Sequence, residues 1–482
     1  MRSNYTVNAS THLRVLSDSQ LEEIHYAVLE VLERTGVDVY HDGALDLLKK
    51  AGAYVSGNNV RIPSAMVEAA LKSSPSRVTL CTRDKRRTVL LEGYNFHFGT
   101  GSDCPFIIDL YTGQRRKFTK KDVAEGMKLC DALPNIDFVM SMGLISDIAP
   151  PVSDRHQFEA MLLNTTKPIV FTAHNRAGCE DILAMSAAVA GGIEEVVKDP
   201  FICLYAEPIS PLKHMYEAVD KLIWAGENRI PVVYTPCIMS GATAPATLAG
   251  AMVSATAETL AGLCIHQIVG EGAPFIMGGV YGIMDMHTTI FTYGSPEFML
   301  MQSAVSELAH FYRKPVFSTA GCSDSKVLDE QAAIEAALSI LLAAQSGGNL
   351  IHDVGYLESG IVSSFDMLVM CDEIIGMVKR IVRGIEVDDE TLAVDVIHKV
   401  GPGGHFLAEE HTMRHFRSQT WFPSVINRQR YEEWVNSGSL TLRERVTSKA
   451  KAILAEHVPK EVSGKAVDEV QRIIRSAEDR EL

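Results

Sequence analysis

Much of what usually announces a function is missing from this sequence of 482 residues. No run of 18 or more apolar residues occurs. A bilayer-crossing helix needs about 20, so no membrane span is expected. Residues 1–16 have neither an apolar h-region nor a small-residue cleavage site, so the sequence reads as cytoplasmic rather than exported. Positive charge is short, with 45 Lys+Arg against 60 Asp+Glu and a net charge of −15. That balance argues against nucleic acid and anionic membrane surfaces as partners. The nine cysteines are scattered, none within four residues of another. Zinc-ribbon spacing is therefore excluded, and the set reads as buried free thiols in a reducing compartment. There is no P-loop, no G-x-S-x-G elbow, and Gly99-x-Gly101 lacks the third glycine of a dinucleotide fingerprint. The stretch from Gly403 to His411 is not H-E-x-x-H, because His405 lacks the adjacent Glu. His405 and His411, six apart, would lie on different faces of a helix, so no tightly bound metal is expected.

What is present is ample apolar material: 46% hydrophobic and 22% charged residues suit a large packed core. An N-terminal helix reads from a Ser19/Glu22 capping box through Leu21, Ile24, Val28, Val31 and Leu32 to Gly36. Further on, short apolar runs alternate with helical segments eight times. The runs are 95–99, 137–143, 168–173, 201–206, 231–236, 274–280, 315–319 and 349–354. Runs this apolar, without alternation, fit strands covered on both faces of a parallel sheet. Eight such units over residues 94–384 predict an α/β fold, a (β/α)8 TIM-type barrel; a doubly wound open sheet is the alternative. Residues 1–93 read as a helix-rich N-terminal region, and 385–482 as a helical C-terminal extension packing across the barrel. A β-hairpin insertion is expected within 99–118.

In such a barrel the chemistry collects where strands end, at the C-terminal face. Those positions hold Asp103, His174, Tyr205, Glu207, Tyr281, His352, Asp353 and Tyr356, with Gly241, Gly279 and Gly321 in the loops. The glycines would let a large planar ligand or a partner approach the backbone, or are ordinary loop glycines. His352 is either a satisfied structural histidine or, with Glu207 and His174 on the same face, part of a site. Asp103 and Asp324 are either ligand groups or acceptors of backbone N–H bonds; the helix starting near Asp329 favours a cap for Asp324.

Particular blocks then become recognisable. Ser240 to Ala249 (SGATAPATLA), Gly294 to Glu297 (GSPE), Ser323-Asp-Ser-Lys326 with Asp329-Glu-Gln331, and Gly401 to Leu407 (GPGGHFL) resemble the trimethylamine methyltransferase family, along essentially the whole chain. The resemblance implies a (β/α)8 barrel that passes a methyl group from a methylated amine to the Co(I) corrinoid (cobalamin) of a separate carrier protein. Founding members carry pyrrolysine; this chain has only the twenty ordinary residues. That departure points to the branch resembling quaternary-amine enzymes, with glycine betaine as the first expectation. Proline betaine, carnitine or trimethylamine are alternatives, as is a non-catalytic betaine- or corrinoid-binding protein.

A quaternary ammonium is already charged, so its methyl group is electrophilic without prior protonation. The protein's tasks are to hold the cation, aim the methyl and exclude water. Aromatic faces suit the cation: Tyr94, Tyr205, Tyr281 and Tyr356 are candidates, while Phe96 and Phe98 read as core. Asp103 or Glu207 supplies counter-charge, and His352, His174 or Lys326 could meet a substrate carboxylate. The nucleophile is the partner's cobalt, so no catalytic side chain of this chain is assigned. Gly241, Gly279 and Gly321 would face the corrinoid, and a homo-oligomer is expected.

Overall fold

The computed structural model describes residues 11–482. Most of the stretch read for an export signal, 1–16, lies outside them. Eight parallel strands form one sheet: β1 (His97–Gly99), β2 (Ile136–Phe138), β3 (Ile169–Phe171), β4 (Ile202–Ala206), β5 (Val232–Tyr234), β6 (Phe275–Gly278), β7 (Val316–Thr319) and β8 (Leu350–His352). Seven fall inside one of the eight apolar runs, and β2 starts one residue before its run. The sheet runs β3-β4-β5-β6-β7-β8-β1-β2. A bridge from Val139 to Ile169 then brings β2 back to β3 and closes the barrel.

Each strand is followed by a helix on the outside: α1 (Lys120–Ala132), α2 (Ser153–Asn164), α3 (Arg176–Ala190), α4 (Tyr216–Asn228), α5 (Leu248–Val269), α6 (Pro296–Phe311), α7 (Glu330–Ser346) and α8 (Phe365–Val382). The chain is a (β/α)8 barrel. The strands need no polar face because both sides are covered: Ile202, Leu204, Val232 and Phe275 belong to the large core under the helices. Val170, Cys203, Val233, Ile276, Phe317 and Leu350 form a separate cluster inside the barrel. Side chains alternate faces along a strand, and here both faces are apolar. Pro168, Pro231, Pro274 and Pro315 each stand one residue before a strand. Their carbonyls still accept from Val139, Leu204, Val232 and Met277 on neighbouring strands, at 2.8–3.3 Å. The missing N–H therefore falls where the ladder has not begun.

The inner cluster also contains Val78, Leu80, Val89 and Leu91. They come from an antiparallel hairpin, Val78–Cys81 with Thr88–Leu91. The Cys81 and Arg83 N–H groups bond the carbonyls of Pro200 and Thr166, just ahead of β4 and β3. The hairpin thus plugs the N-terminal end of the barrel. This N-terminal region contains the expected helices and, in addition, five short strands. Its first helix, Asp18–Glu30, starts two residues before the expected box: the reciprocal cap is Ser17 with Gln20. The same x-x spacing is available one serine earlier, which is why the motif misplaced the start.

The hairpin in the first barrel loop is present, Phe106–Ile108 with Arg115–Lys117. It extends into a four-stranded sheet by pairing with Val362–Ser364, which pairs with Tyr356–Leu357. The loops after β1 and β8 are thereby clamped together over the barrel mouth. The C-terminal helices Leu442–Glu456 and Gly464–Glu481 pack on the outer ring, the first on α8 and α1, the second on α3. Among the described residues α5 alone is long and apolar enough to cross a bilayer, and 72% of that window is buried inside the protein. Of the nine free cysteines, eight are buried as expected and Cys237 is exposed.

Candidate functional site

The clamp between the loops after β1 and β8 brings Asp103, Asp353 and Tyr356 together. The Asp103 N–H donates to the Tyr356 hydroxyl at 3.3 Å. A Cβ added to Gly101 would lie 2.0 Å from Asp353 Oδ1 and 2.5 Å from the Tyr356 hydroxyl, so only glycine fits between them. Asp353 itself has φ +70, in the left-handed region that aspartate, like asparagine, enters more readily than most residues. Its Oδ2 lies 3.4 Å from His352 Nε2, and its Oδ1 has no hydrogen-bond partner. His352 Nδ1 donates to the Ser318 carbonyl at 2.9 Å, which leaves the Nε2 lone pair facing Asp353. The imidazole lies against Phe317, centroid to centroid 4.0 Å, and Phe317 in turn meets Tyr205 at 5.7 Å. Tyr205 donates to Glu207 at 2.9 Å.

Asp103, Glu207 and Cys237 keep accessible surface, yet burial is the leading cause of the raised pKa of each. The surface they expose therefore faces an enclosed recess rather than bulk water. Electrostatics shows that they share it. Asp103 is pushed to about 6 by burial and by Asp353. Asp353 is pushed to about 8 by burial, with the Tyr293 hydroxyl opposing. Cys237 is raised by burial and then by Glu207, Asp103 and Asp353. His352 is held neutral by burial, at about 4. Among the described residues, no ion pair joins Asp103, Glu207 or Asp353 to a lysine or arginine; the one partner is His352. The hairpin plug closes the other end, so the recess opens at the C-terminal face.

Of the site residues named from sequence, Asp103, Tyr205, Glu207, His352 and Tyr356 converge. Tyr94 does not: it precedes β1 and packs on His12 and His310 at the opposite end. Tyr281 lies beyond β6 in a short strand paired with Cys237–Ser240. It is fully buried, its hydroxyl near Thr256 and Thr259 of α5. His174 is on the correct face but turns outward, its Nε2 3.0 Å from Ser153 Oγ. Phe96 and Phe98 pack against each other in the core, as read. Asp324 does accept backbone N–H groups, but those of Tyr293 and Gly294, while Asp329 caps α7. Lys326 donates to the Asp324 carbonyl on the surface and is not in the recess.

The loop glycines have local reasons of their own. A Cβ on Gly279 would strike the Tyr281 ring at 2.1 Å; Gly321 has φ +78 against Val354; Gly241 has φ +89 on the rim beside Met286. Two recess residues were missed. Cys237 was read as one more buried thiol. Tyr293 stands in a loop where no periodicity applies, directly before the capped start of α6 at Ser295. Its ring joins Phe291 and Phe298, with centroids 5.0 Å apart in both pairs.

Residues 1–480 match the family described as trimethylamine methyltransferase (MTTB). The chain belongs to that family. A trimethylamine methyltransferase MttB of Desulfitobacterium hafniense (strain DSM 10664 / DCB-2) is 35% identical over 465 residues, covering 96% of this chain and 94% of that protein. A glycine betaine methyltransferase of Desulfitobacterium hafniense (strain Y51) is 32% identical over 449 residues, covering 92% and 93%. The solved monomethylamine methyltransferase MtmB of Methanosarcina barkeri superposes with a TM-score of 0.52 at 12% identity, covering 97% of this chain and 88% of that one, a likeness of fold. The family is one of methylated-amine and betaine methyltransferases.

Proposed function

We propose that the chain transfers a methyl group from a quaternary amine, glycine betaine first among them, to the corrinoid of a partner protein. The observation that carries this is the cluster of Asp103, Glu207 and Asp353, none of them ion-paired to a lysine or arginine among the described residues, with the half-buried Tyr205 ring beside it and the buried Tyr293 and Tyr356 behind it. Such a lining recognises a cation by ring faces, each worth about 0.5–2 kcal/mol, and by counter-charge. Burial raises the pKa of each carboxyl, that of Asp353 to about 8, with neighbouring carboxylate charge adding at Asp103 and Glu207, which suits the reaction. A fully ionised pocket would stabilise the substrate cation more than a transition state in which that charge is being lost. The neutral Asp353 carboxyl and the Tyr356 hydroxyl can donate hydrogen bonds to a betaine carboxylate, a role expected of His352 before its Nδ1–H was found committed to Ser318.

When docked, the corrinoid supplies the cobalt nucleophile that accepts the methyl group. The chain's own residues bind the ammonium, orient one methyl toward the open mouth and keep water out. The loops around that mouth expose Leu144, Met286, Ile290 and Ile361. An apolar rim of this kind fits a broad, flat partner surface. The exposed apolar residues of the C-terminal extension, Ile385, Val387, Leu407 and Met413 among them, support self-association.

The test is anaerobic mixing of the protein with Co(I) cobalamin and glycine betaine, following loss of the Co(I) absorption. Trimethylamine, proline betaine and carnitine run in parallel. Loss with glycine betaine alone is the expected result. Loss with trimethylamine instead would assign this chain the substrate named for its 35% relative. No loss with any methylated amine, with intact Co(I), would turn the reading to a binding protein.

A further inference from the structure

We propose that Glu390, His411 and His415 form a binding site for a divalent cation of borderline softness, zinc first, which staples the outer segment of the C-terminal extension. Among the described residues this is the one group of three or more His, Cys, Asp and Glu side chains with converging ligand atoms, all within 4.8 Å of one another. His411 and His415 stand four apart on the helix Glu410–Gln419, hence on one face. Their rings are 4.3 Å apart between centroids. Glu390 comes from the short helix Asp389–Leu392, about twenty residues back in the chain. The three donors therefore tie together two elements that the sequence separates. The expectation of two histidines on different faces concerned His405 and His411; the structure pairs His411 with His415 instead.

Two imidazoles and a carboxylate, with water in the fourth position, are a zinc ligand set. Both imidazoles already turn Nε2 toward Glu390. His415 Nε2 lies 3.0 Å from Glu390 Oε1, and His411 Nε2 lies 3.2 Å from the Glu390 carbonyl. Tetrahedral zinc would hold its donors about 3.3 Å apart. Glu390 is exposed and the two histidines are half-buried, so side-chain rotation is the adjustment that metal binding would require. One cation competes: Arg414 Nη1 is 3.2 Å from Glu390 Oε1, but Glu410, at 3.7 Å, offers it another partner.

The surroundings give the staple a purpose. The helices Asp389–Leu392, Val394–Val400, Glu410–Gln419 and Tyr431–Asn436 bury no residue at all. Helices this short gain little from propensity, and with no buried residue of their own they rest on polar contacts such as those of Arg380 and Arg383 to the carbonyls of Gln419 and Ser418, which a cross-link would reinforce. Metal affinity becomes local folding energy in such a segment.

The experiment uses the full chain, stripped with a chelator and titrated with Co²⁺ as the probe. Expected are one equivalent bound, visible absorption bands of a tetrahedral site, and their loss on adding Zn²⁺. H411N/H415N is expected to abolish the bands, E390Q to weaken binding at least about tenfold, and H398N, an exposed histidine outside the cluster, to change nothing. Zn²⁺ is also expected to slow proteolysis within 386–419 in the wild type but not in H411N/H415N. Equal Co²⁺ binding by wild type and H411N/H415N, or no binding by the wild type, overturns the proposal. So does Zn²⁺ protection that survives the double substitution. None of these readouts involves methyl transfer, so the result stands apart from the proposed reaction.

Discussion

Asp353 concentrates the unusual chemistry of the recess in one side chain. Burial raises its carboxyl to about 8 in the folded protein, against about 3.9 in an unfolded chain. Between those values the folded state keeps a proton that the unfolded state has released. Stability from this group therefore falls as pH rises from about 4 to 8 and levels off above. Asp353→Asn keeps the shape and removes the titration. Its stability is expected to decline less than the wild type's between pH 5 and 8, read by denaturant unfolding at each pH. A parallel decline would mean that Asp353 is already ionised in the fold. At this scale the sequence was partly legible. Strand-end positions drew attention to Asp103, Glu207, His352 and Tyr356, which the fold brings together. A residue's place beside a strand does not say which way its side chain turns, and Tyr94, Tyr281 and His174 lie apart from that group. Tyr293 was invisible, because only a tertiary clamp brings its loop, held by Asp324, over the recess.

Among the elements, the barrel strands were legible because burial on both faces leaves an unbroken apolar signature, punctuated by proline just before four of them. The hairpin 78–91 was not. Its strands are four residues each, too short to separate from a helical region by period, and its role depends on meeting segments as distant in the chain as Thr166 and Pro200. It contributes Leu80, fully buried inside the barrel. Leu80→Ala is expected to cost about 2–5 kcal/mol of stability, the usual range for a buried leucine. The size of the loss in chemical denaturation checks the plug. A loss under 1 kcal/mol would show that the hairpin merely lies against the barrel end.

For the whole molecule, the apolar rim leads to a prediction that separates docking from chemistry. Met286 is exposed at the mouth. Met286→Glu is expected to slow methyl transfer to protein-borne corrinoid by about tenfold or more, a loss of about 1.4 kcal/mol of docking. Transfer to free cobalamin should be nearly unchanged. Equal losses with both acceptors would place Met286 in the recess rather than at an interface. The family and the barrel were readable at this scale from sequence blocks and periodicity. The surface roles were not, since exposed apolar residues gain meaning only from which loops carry them.

The plugged barrel also has a kinetic consequence. A chamber with one door admits substrate and releases product by the same opening that a docking partner would cover. On the proposed reading, amine must enter before the partner arrives, and the demethylated amine stays until the partner leaves. Turnover then follows a fixed sequence. Excess methyl acceptor would act as a dead-end inhibitor by shutting the door on an empty room, and raising the amine concentration would relieve it.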